Sequence, residues 1–213
     1  MSGTAVGTLA QYEGRDRPLK ADRTAVLVVD AQNAELEPAI LDKHPEFATG
    51  MKERALPAMR KLLEAARERR VEVIYTVIEA LTRDGRDRSL DHKLSNILVH
   101  KGSPLAQVID EVAPVGDEIV LPKTSSGVFN STNIDYVLRN LGIENVIVTG
   151  FVTDQCVDMA IRDGADRGYY MVCAQDACAA YTRERHETAL RAFGGYCRIQ
   201  NVEDVIGTLD SQS

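Results

Sequence analysis

The 213-residue chain has no tryptophan, and aromatic residues make up only 5% of it. Its 32 acidic side chains against 25 lysines and arginines leave a net charge of -7. With no basic field and no run of lysines interleaved with aromatics, nucleic acid is excluded as a partner. Four cysteines, Cys156, Cys173, Cys178 and Cys197, are unevenly spaced and contain no Cys-x-x-Cys pair. That spacing excludes a zinc ribbon and a disulfide framework, so reduced thiols are expected. Residues 1–22 carry Arg15, Arg17 and Lys20 without an apolar core. They read as neither a signal peptide nor a membrane span, and the cytoplasm is the expected location.

What is present is a 44% hydrophobic composition, enough for one domain that buries a sheet between two helical layers. Apolar β-branched runs at 24–29, 71–77, 118–121, 145–149 and 170–174, with a shorter one at 197–200, read as strands buried on both faces. Helical periodicity marks 57–70, 104–112, 134–141, 156–167, 182–193 and 202–209. Strand and helix alternate, which predicts a three-layer α/β/α fold around a mostly parallel sheet of about six strands. The expected division is an N-terminal extension over 1–22 and a single domain over 23–213. Segments 36–50 and 80–102 are irregular and charged, and read as loops or lids.

Ligands of such a sheet bind at the carboxyl ends of its strands. Three chemically capable residues fall there: Asp30 after the first strand, Lys123 after Ile-Val-Leu-Pro, and Cys156 one short turn after Ile-Val-Thr-Gly. Taken singly, each has a plainer explanation, as a turn aspartate, a solvated lysine and a small buried hydrophobe. Together they suit a nucleophilic thiol. Its proton has an acceptor in Asp30, and its thiolate is favoured by the start of a helix and by the Lys123 charge. A dinucleotide-binding oxidoreductase would need Gly-x-Gly-x-x-Gly after the first strand, where the chain reads Asp30-Ala31-Gln32-Asn33-Ala34-Glu35. A serine hydrolase elbow would present serine where Cys156 stands.

The run Thr149-Gly150-Phe151-Val152-Thr153-Asp154-Gln155-Cys156-Val157 resembles the nucleophile turn of the isochorismatase-like cysteine hydrolases. Val28-Val29-Asp30-Ala31-Gln32-Asn33 is similar to their first strand with its aspartate. Pro122-Lys123-Thr124-Ser125-Ser126-Gly127-Val128-Phe129 is similar to their lysine strand and the loop after it. The resemblance runs from about Thr24 to Ile206.

It implies a Cys156 thiolate attacking an amide carbonyl, Asp30 as base and then acid, and Lys123 orienting Asp30. It also implies a cis peptide at Phe151–Val152 that aims the backbone N–H groups of Val152 and Cys156 at an oxyanion. A homodimer or homotetramer is expected on the same ground. Nicotinamidases of this superfamily hold a metal through Asp-x-His and a further histidine. His44, His92, His100 and His186 lack that spacing and read as surface or loop residues, so no metal or other cofactor is expected.

Family members that cleave vinyl ethers lack the cysteine, so Cys156 points to C–N hydrolysis of a small linear amide or ureide with release of ammonia. Vinyl ether hydrolysis and a non-catalytic binding role stand as alternatives. For the substrate itself, Gln32, Asn33 and Glu79 are candidates to meet ureido or amide N–H groups, with Phe129 and Tyr181 nearby in the pattern. Arg83 or Arg183, among several loop arginines, is a candidate to grip a carboxylate, although most such charges are simply solvated.

Overall fold

The computed structural model describes residues 18–210. Its main sheet has six strands: β2 (Thr24–Val29), β3 (Glu72–Ile78), β4 (Ile119–Lys123), β5 (Asn145–Phe151), β6 (Tyr170–Ala179) and β7 (Cys197–Gln200). They lie in the order β4-β3-β2-β5-β6-β7, and every pairing is parallel. A second, two-stranded sheet joins β1 (Leu19–Lys20) to β8 (Leu209–Asp210). Leu19 is fully buried, so the segment expected as an extension over 1–22 already belongs to the core by that residue. Residues 1–17 lie outside the described part.

Alternation along each strand divides the core in two. Val26 and Val28 of β2 pack with Met59, Leu62 and Leu63 of the helix Leu56–Glu68 on one face. Ala25, Leu27 and Val29 pack with Leu138, Ile161 and Phe193, from the helices Ile134–Asn140, Asp158–Asp166 and Arg183–Phe193, on the other. A strand with apolar residues at every position is what a sheet covered on both faces requires.

Two expectations need correction. Residues 104–112 form no helix but two single 3-10 turns, Pro104–Ala106 and Asp110–Val112. Between them Val108 bridges Gln32 in antiparallel fashion, and the Ile109 N–H donates to Ala31 O at 2.9 Å. Conversely, 36–50 contains the short helices Pro38–Leu41 and Pro45–Gly50, and 80–102 contains Leu90–Leu94. Both segments fold over the carboxyl edge of the sheet.

The strand order reverses between β2 and β5. From β2 the chain moves outward through β3 to β4, then returns to β5 on the other side of β2 and moves outward again. A crevice opens at such a switch point, outside the carboxyl ends of the strands.

Candidate active site

Asp30 leaves β2 in a left-handed conformation, φ 52°. Its N–H donates to Thr76 O at 3.0 Å, and the Thr76 hydroxyl donates to its Oδ1, also at 3.0 Å. The carboxylate is thus fixed by the end of the neighbouring strand. Gly150 permits the close approach on the other side. Its φ is 121°, and a Cβ there would lie 2.0 Å from Val29 O, so only glycine lets β5 run past β2 at this point.

Lys123 closes β4, two strands away from β2 and thus roughly 10 Å across the sheet. A long side chain is needed to cover that span, and it runs wholly inside the protein, 0% exposed. Its ammonium donates to Ser125 O at 2.7 Å, Ser126 O at 3.4 Å and Cys156 Sγ at 3.4 Å. It also lies 2.9 Å from Asp30 Oδ2, a buried ion pair at the distance of a charge-assisted hydrogen bond. Burial pulls the lysine pKa down, but the attraction of Asp30 and Cys156 outweighs it and leaves the ammonium above its ordinary value.

Cys156 sits on a π-helical turn, Thr153–Val157, that continues into the helix Asp158–Asp166, and it is 5% exposed. The Phe151–Val152 peptide bond before that turn is cis. The thiolate expected from the helix start is not the resting form. Burial first, and the Asp30 carboxylate second, push the thiol up to about 12, and Lys123 only partly opposes them. A neutral thiol beside an aspartate–lysine ion pair is the arrangement at rest.

These three side chains surround the floor of a cavity of about 710 Å³, to which Asp30 and Cys156 are open. That volume suits a small molecule. Its wall includes Glu35, His44, His92 and Tyr181. His44 and Tyr181 stack with centroids 4.0 Å apart. A second cavity of about 800 Å³, bounded by Arg54, Arg183 and His186, contains none of the three floor residues.

Of the other sequence candidates, Gln32 and Tyr181 line the smaller cavity. The Gln32 amide is nevertheless engaged: it donates to Ile78 O and Leu105 O and accepts from the Ile78 N–H. The structure places the rest outside that lining. Asn33 donates to Pro104 O, and Glu79 accepts from the Gly102 N–H. Arg83 is exposed, and Arg183 is exposed and paired with Glu187. Phe129 belongs to the core and stacks on Tyr169.

Two histidines expected at the surface are buried. His92 is 0% exposed, with Nε2 3.4 Å from the Ser126 hydroxyl. His186 Nδ1 is 2.8 Å from the Thr153 hydroxyl, and burial holds that imidazole down at about 4. Among the described residues, no group of three or more His, Cys, Asp or Glu is arranged to hold a metal ion, and no helix is long and apolar enough to cross a membrane.

Glu35 carried no sequence signal beyond following Asp30 by five positions. Burial first, then the nearby Asp30 charge, raise its carboxyl to about 7, with Lys123 opposing. Its Oε2 is buried and meets no donor.

Comparison with known proteins gives a consistent picture. Ureidoacrylate amidohydrolase of Rhizobium rhizogenes is 33% identical over 180 residues, which is 75% of this chain and 71% of that protein. N-carbamoylsarcosine amidase of an Arthrobacter species is 31% identical over 153 residues, 70% of this chain and 56% of the amidase. A solved cysteine hydrolase from Pseudomonas syringae pv. phaseolicola has a TM-score of 0.81 at 28% identity, covering 91% of this chain and 95% of that one. The Isochorismatase domain model matches residues 24–206, the span that holds the main sheet and all three residues of the floor, and the chain therefore belongs to the isochorismatase-like hydrolase superfamily.

Proposed function

We propose that this protein is a cysteine amidohydrolase that cleaves a C–N bond of a small linear amide or ureide and releases ammonia. One observation carries the reading: the Cys156 thiol, the Lys123 ammonium and the Asp30 carboxylate meet at the floor of a cavity of substrate size. Relatives named for ureidoacrylate and N-carbamoylsarcosine hydrolysis support the bond type.

The chemistry follows from the resting protonation. The Asp30 carboxylate, which interacts with the Cys156 thiol, takes the thiol proton as sulfur bonds to the carbonyl carbon. Lys123 moderates the charge on both partners throughout. The N–H groups of Val152 and Cys156 stabilise the oxyanion. As the C–N bond breaks, the protonated Asp30 delivers its proton to the leaving nitrogen, and ammonia departs from a thioester or thiocarbamate. Asp30 then takes a proton from water as its oxygen attacks the same carbon. The thiol is regenerated when the C–S bond breaks and sulfur regains that proton.

A thiol pushed up to about 12 is a poor nucleophile by itself. In this mechanism, attack is coupled to proton transfer and begins only with a carbonyl in place. Vinyl ether hydrolysis would leave the buried thiol without a role. The test is ammonia release from N-carbamoyl amino acids, ureidoacrylate, biuret, maleamate and nicotinamide, and loss of isochorismate followed by chromatography, with mass spectrometry of Cys156 during turnover of a slow substrate. An acyl or carbamoyl adduct on Cys156 and ammonia from a linear member are expected. Highest kcat/KM on isochorismate, or no turnover and no adduct with any member, defeats the proposal.

A further inference from the structure

The carboxylates lining the active-site cavity are unequal. Asp30 is paired with Lys123, Asp154 with Arg185, and Asp158 with Arg162, while Asp91 has no ion-pair partner among the described residues but is exposed to water. Glu35 takes part in none of the ion pairs among the described residues, and its buried Oε2 accepts no hydrogen bond. The backbone that carries it is held firmly. The turn Asn33–Leu36 follows Gln32, whose amide is bonded at both ends to Ile78 and Leu105. Glu35 is close enough to Asp30 for that charge to act on it, and its own charge acts in turn on Tyr181. It lines the same cavity as Asp30 and the Tyr181–His44 stack.

The remaining lining offers little to an anion. No arginine lines the cavity among the described residues, and Lys43 is exposed on its rim. His44 and His92 are both held below the ordinary histidine value, in each case by burial first. A buried acceptor without a donor is costly to the protein, and a ligand N–H placed against it recovers that loss. A ligand carboxylate placed there would face Glu35 and Asp30 without a neutralising arginine.

We propose that Glu35 is the specificity residue of this site. It accepts an N–H donor from the end of the substrate away from the scissile carbonyl, so the enzyme selects amides or ureides that end in a neutral amide or a cationic nitrogen over those that end in a carboxylate. This rests on the amidohydrolase reading above and fixes the substrate class within it. It also reverses the expectation that an arginine grips a carboxylate.

Three ureas with the same carbamoyl end test it: N-carbamoylglycine, N-carbamoylglycinamide and 2-aminoethylurea. Their kcat/KM values are compared at pH 8.5 for the wild type, Glu35→Gln and Glu35→Asp. Their binding to Cys156→Ala, with and without Glu35→Gln, is measured by calorimetry. The wild type is expected to favour the amide and the amine over the carboxylate by about tenfold or more, chiefly in KM, as a charge-assisted hydrogen bond gives. Glu35→Gln should abolish the preference for the amine and improve the carboxylate. Glu35→Asp should keep the order with weaker binding.

A wild type that favours N-carbamoylglycine, or a Glu35→Gln protein with the order unchanged, overturns the proposal, as does absence of binding by all three. If none is turned over but Cys156→Ala binds them in the stated order and Glu35→Gln abolishes that order, the role of Glu35 stands and the hydrolase reading falls.

Discussion

At the floor of the cavity the Lys123 ammonium is surrounded by Ser125 O, Ser126 O and Cys156 Sγ and lies 2.9 Å from Asp30 Oδ2. On the wall, Glu35 has an oxygen that no donor meets. The two regions are built from different material. The floor hangs on strand ends, whose positions the sheet register fixes: Val29 faces Thr76 on one side and Gly150 on the other. The wall hangs on the turn Asn33–Leu36 that carries Glu35 and on short turns and helices of 36–50 and 80–102. A buried ion pair surrounded by acceptors is rigid and resists change, whereas a carboxylate without a cation is available to a ligand. Chemistry at the floor and selection at the wall is the division of labour that follows.

The sharpest break of that comparison is removal of the floor's reactive atom. Cys156→Ala should lower kcat by at least about 10⁴-fold while circular dichroism and Tm stay near wild type, because the side chain is small and lies at a turn. Asp30→Asn should lose activity similarly, since the amide cannot take the thiol proton. Wild-type-like turnover by purified Cys156→Ala protein would end the covalent mechanism.

Lys123→Met probes the floor's stability. It leaves Asp30 buried and without its cation, and breaking such a pair costs about 3–5 kcal/mol. Urea denaturation of the single variant should show that loss, and Lys123→Met/Asp30→Asn should recover much of it. Equal destabilisation in single and double variants would mean that packing of the long side chain, not charge, dominates.

The same contrast governs what could be read from sequence. Strand β2 begins and ends where its β-branched run does, because a strand covered on both faces advertises itself at every position. The three floor residues were legible for a related reason: each closes, or closely follows, such a run. Residues 104–112 misled because their helical periodicity is genuine but is overruled by pairing with Gln32 and Ala31, about 75 positions earlier. His92 and His186 were misread because burial of a lone polar side chain depends on which loop folds over it. Glu35 is the extreme case: its unpaired state follows from the absence of partners in three dimensions, and no local pattern encodes an absence.

The wall can be probed by pH. The Glu35 carboxyl titrates at about 7 in the folded protein against 4.5 for its ordinary value, with burial as the main cause. The folded state therefore binds more protons than the unfolded state between those limits. Stability contributed by the neutral carboxyl is fully present below pH 4.5 and is lost as pH rises through 7. Glu35→Gln should be close to wild type in stability at pH 5 and more stable at pH 8.5, by at most ~3 kcal/mol. A difference that does not change between those two pH values would show that Glu35 is solvated or paired.

The smallest effects are expected from the arginines that pattern alone had brought toward the substrate. The Arg183 side chain is 85% exposed and paired with Glu187 four residues on, and it borders the other cavity. Arg83 is exposed and contributes a backbone carbonyl near His100. Exposed pairs of this kind add little, because water screens the charges and two flexible side chains must be ordered. Arg183→Ala and Arg83→Ala should each leave the Tm at the wild-type value. Their kcat/KM should also stay within about twofold of wild type on any substrate the enzyme accepts, since neither guanidinium lines the cavity that holds Cys156. A tenfold rise in KM confined to carboxylate substrates in Arg183→Ala would place that guanidinium at the substrate after all. It would then require the loop before the helix Arg183–Phe193 to move when substrate binds, carrying specificity to a residue that the resting structure holds outside the site.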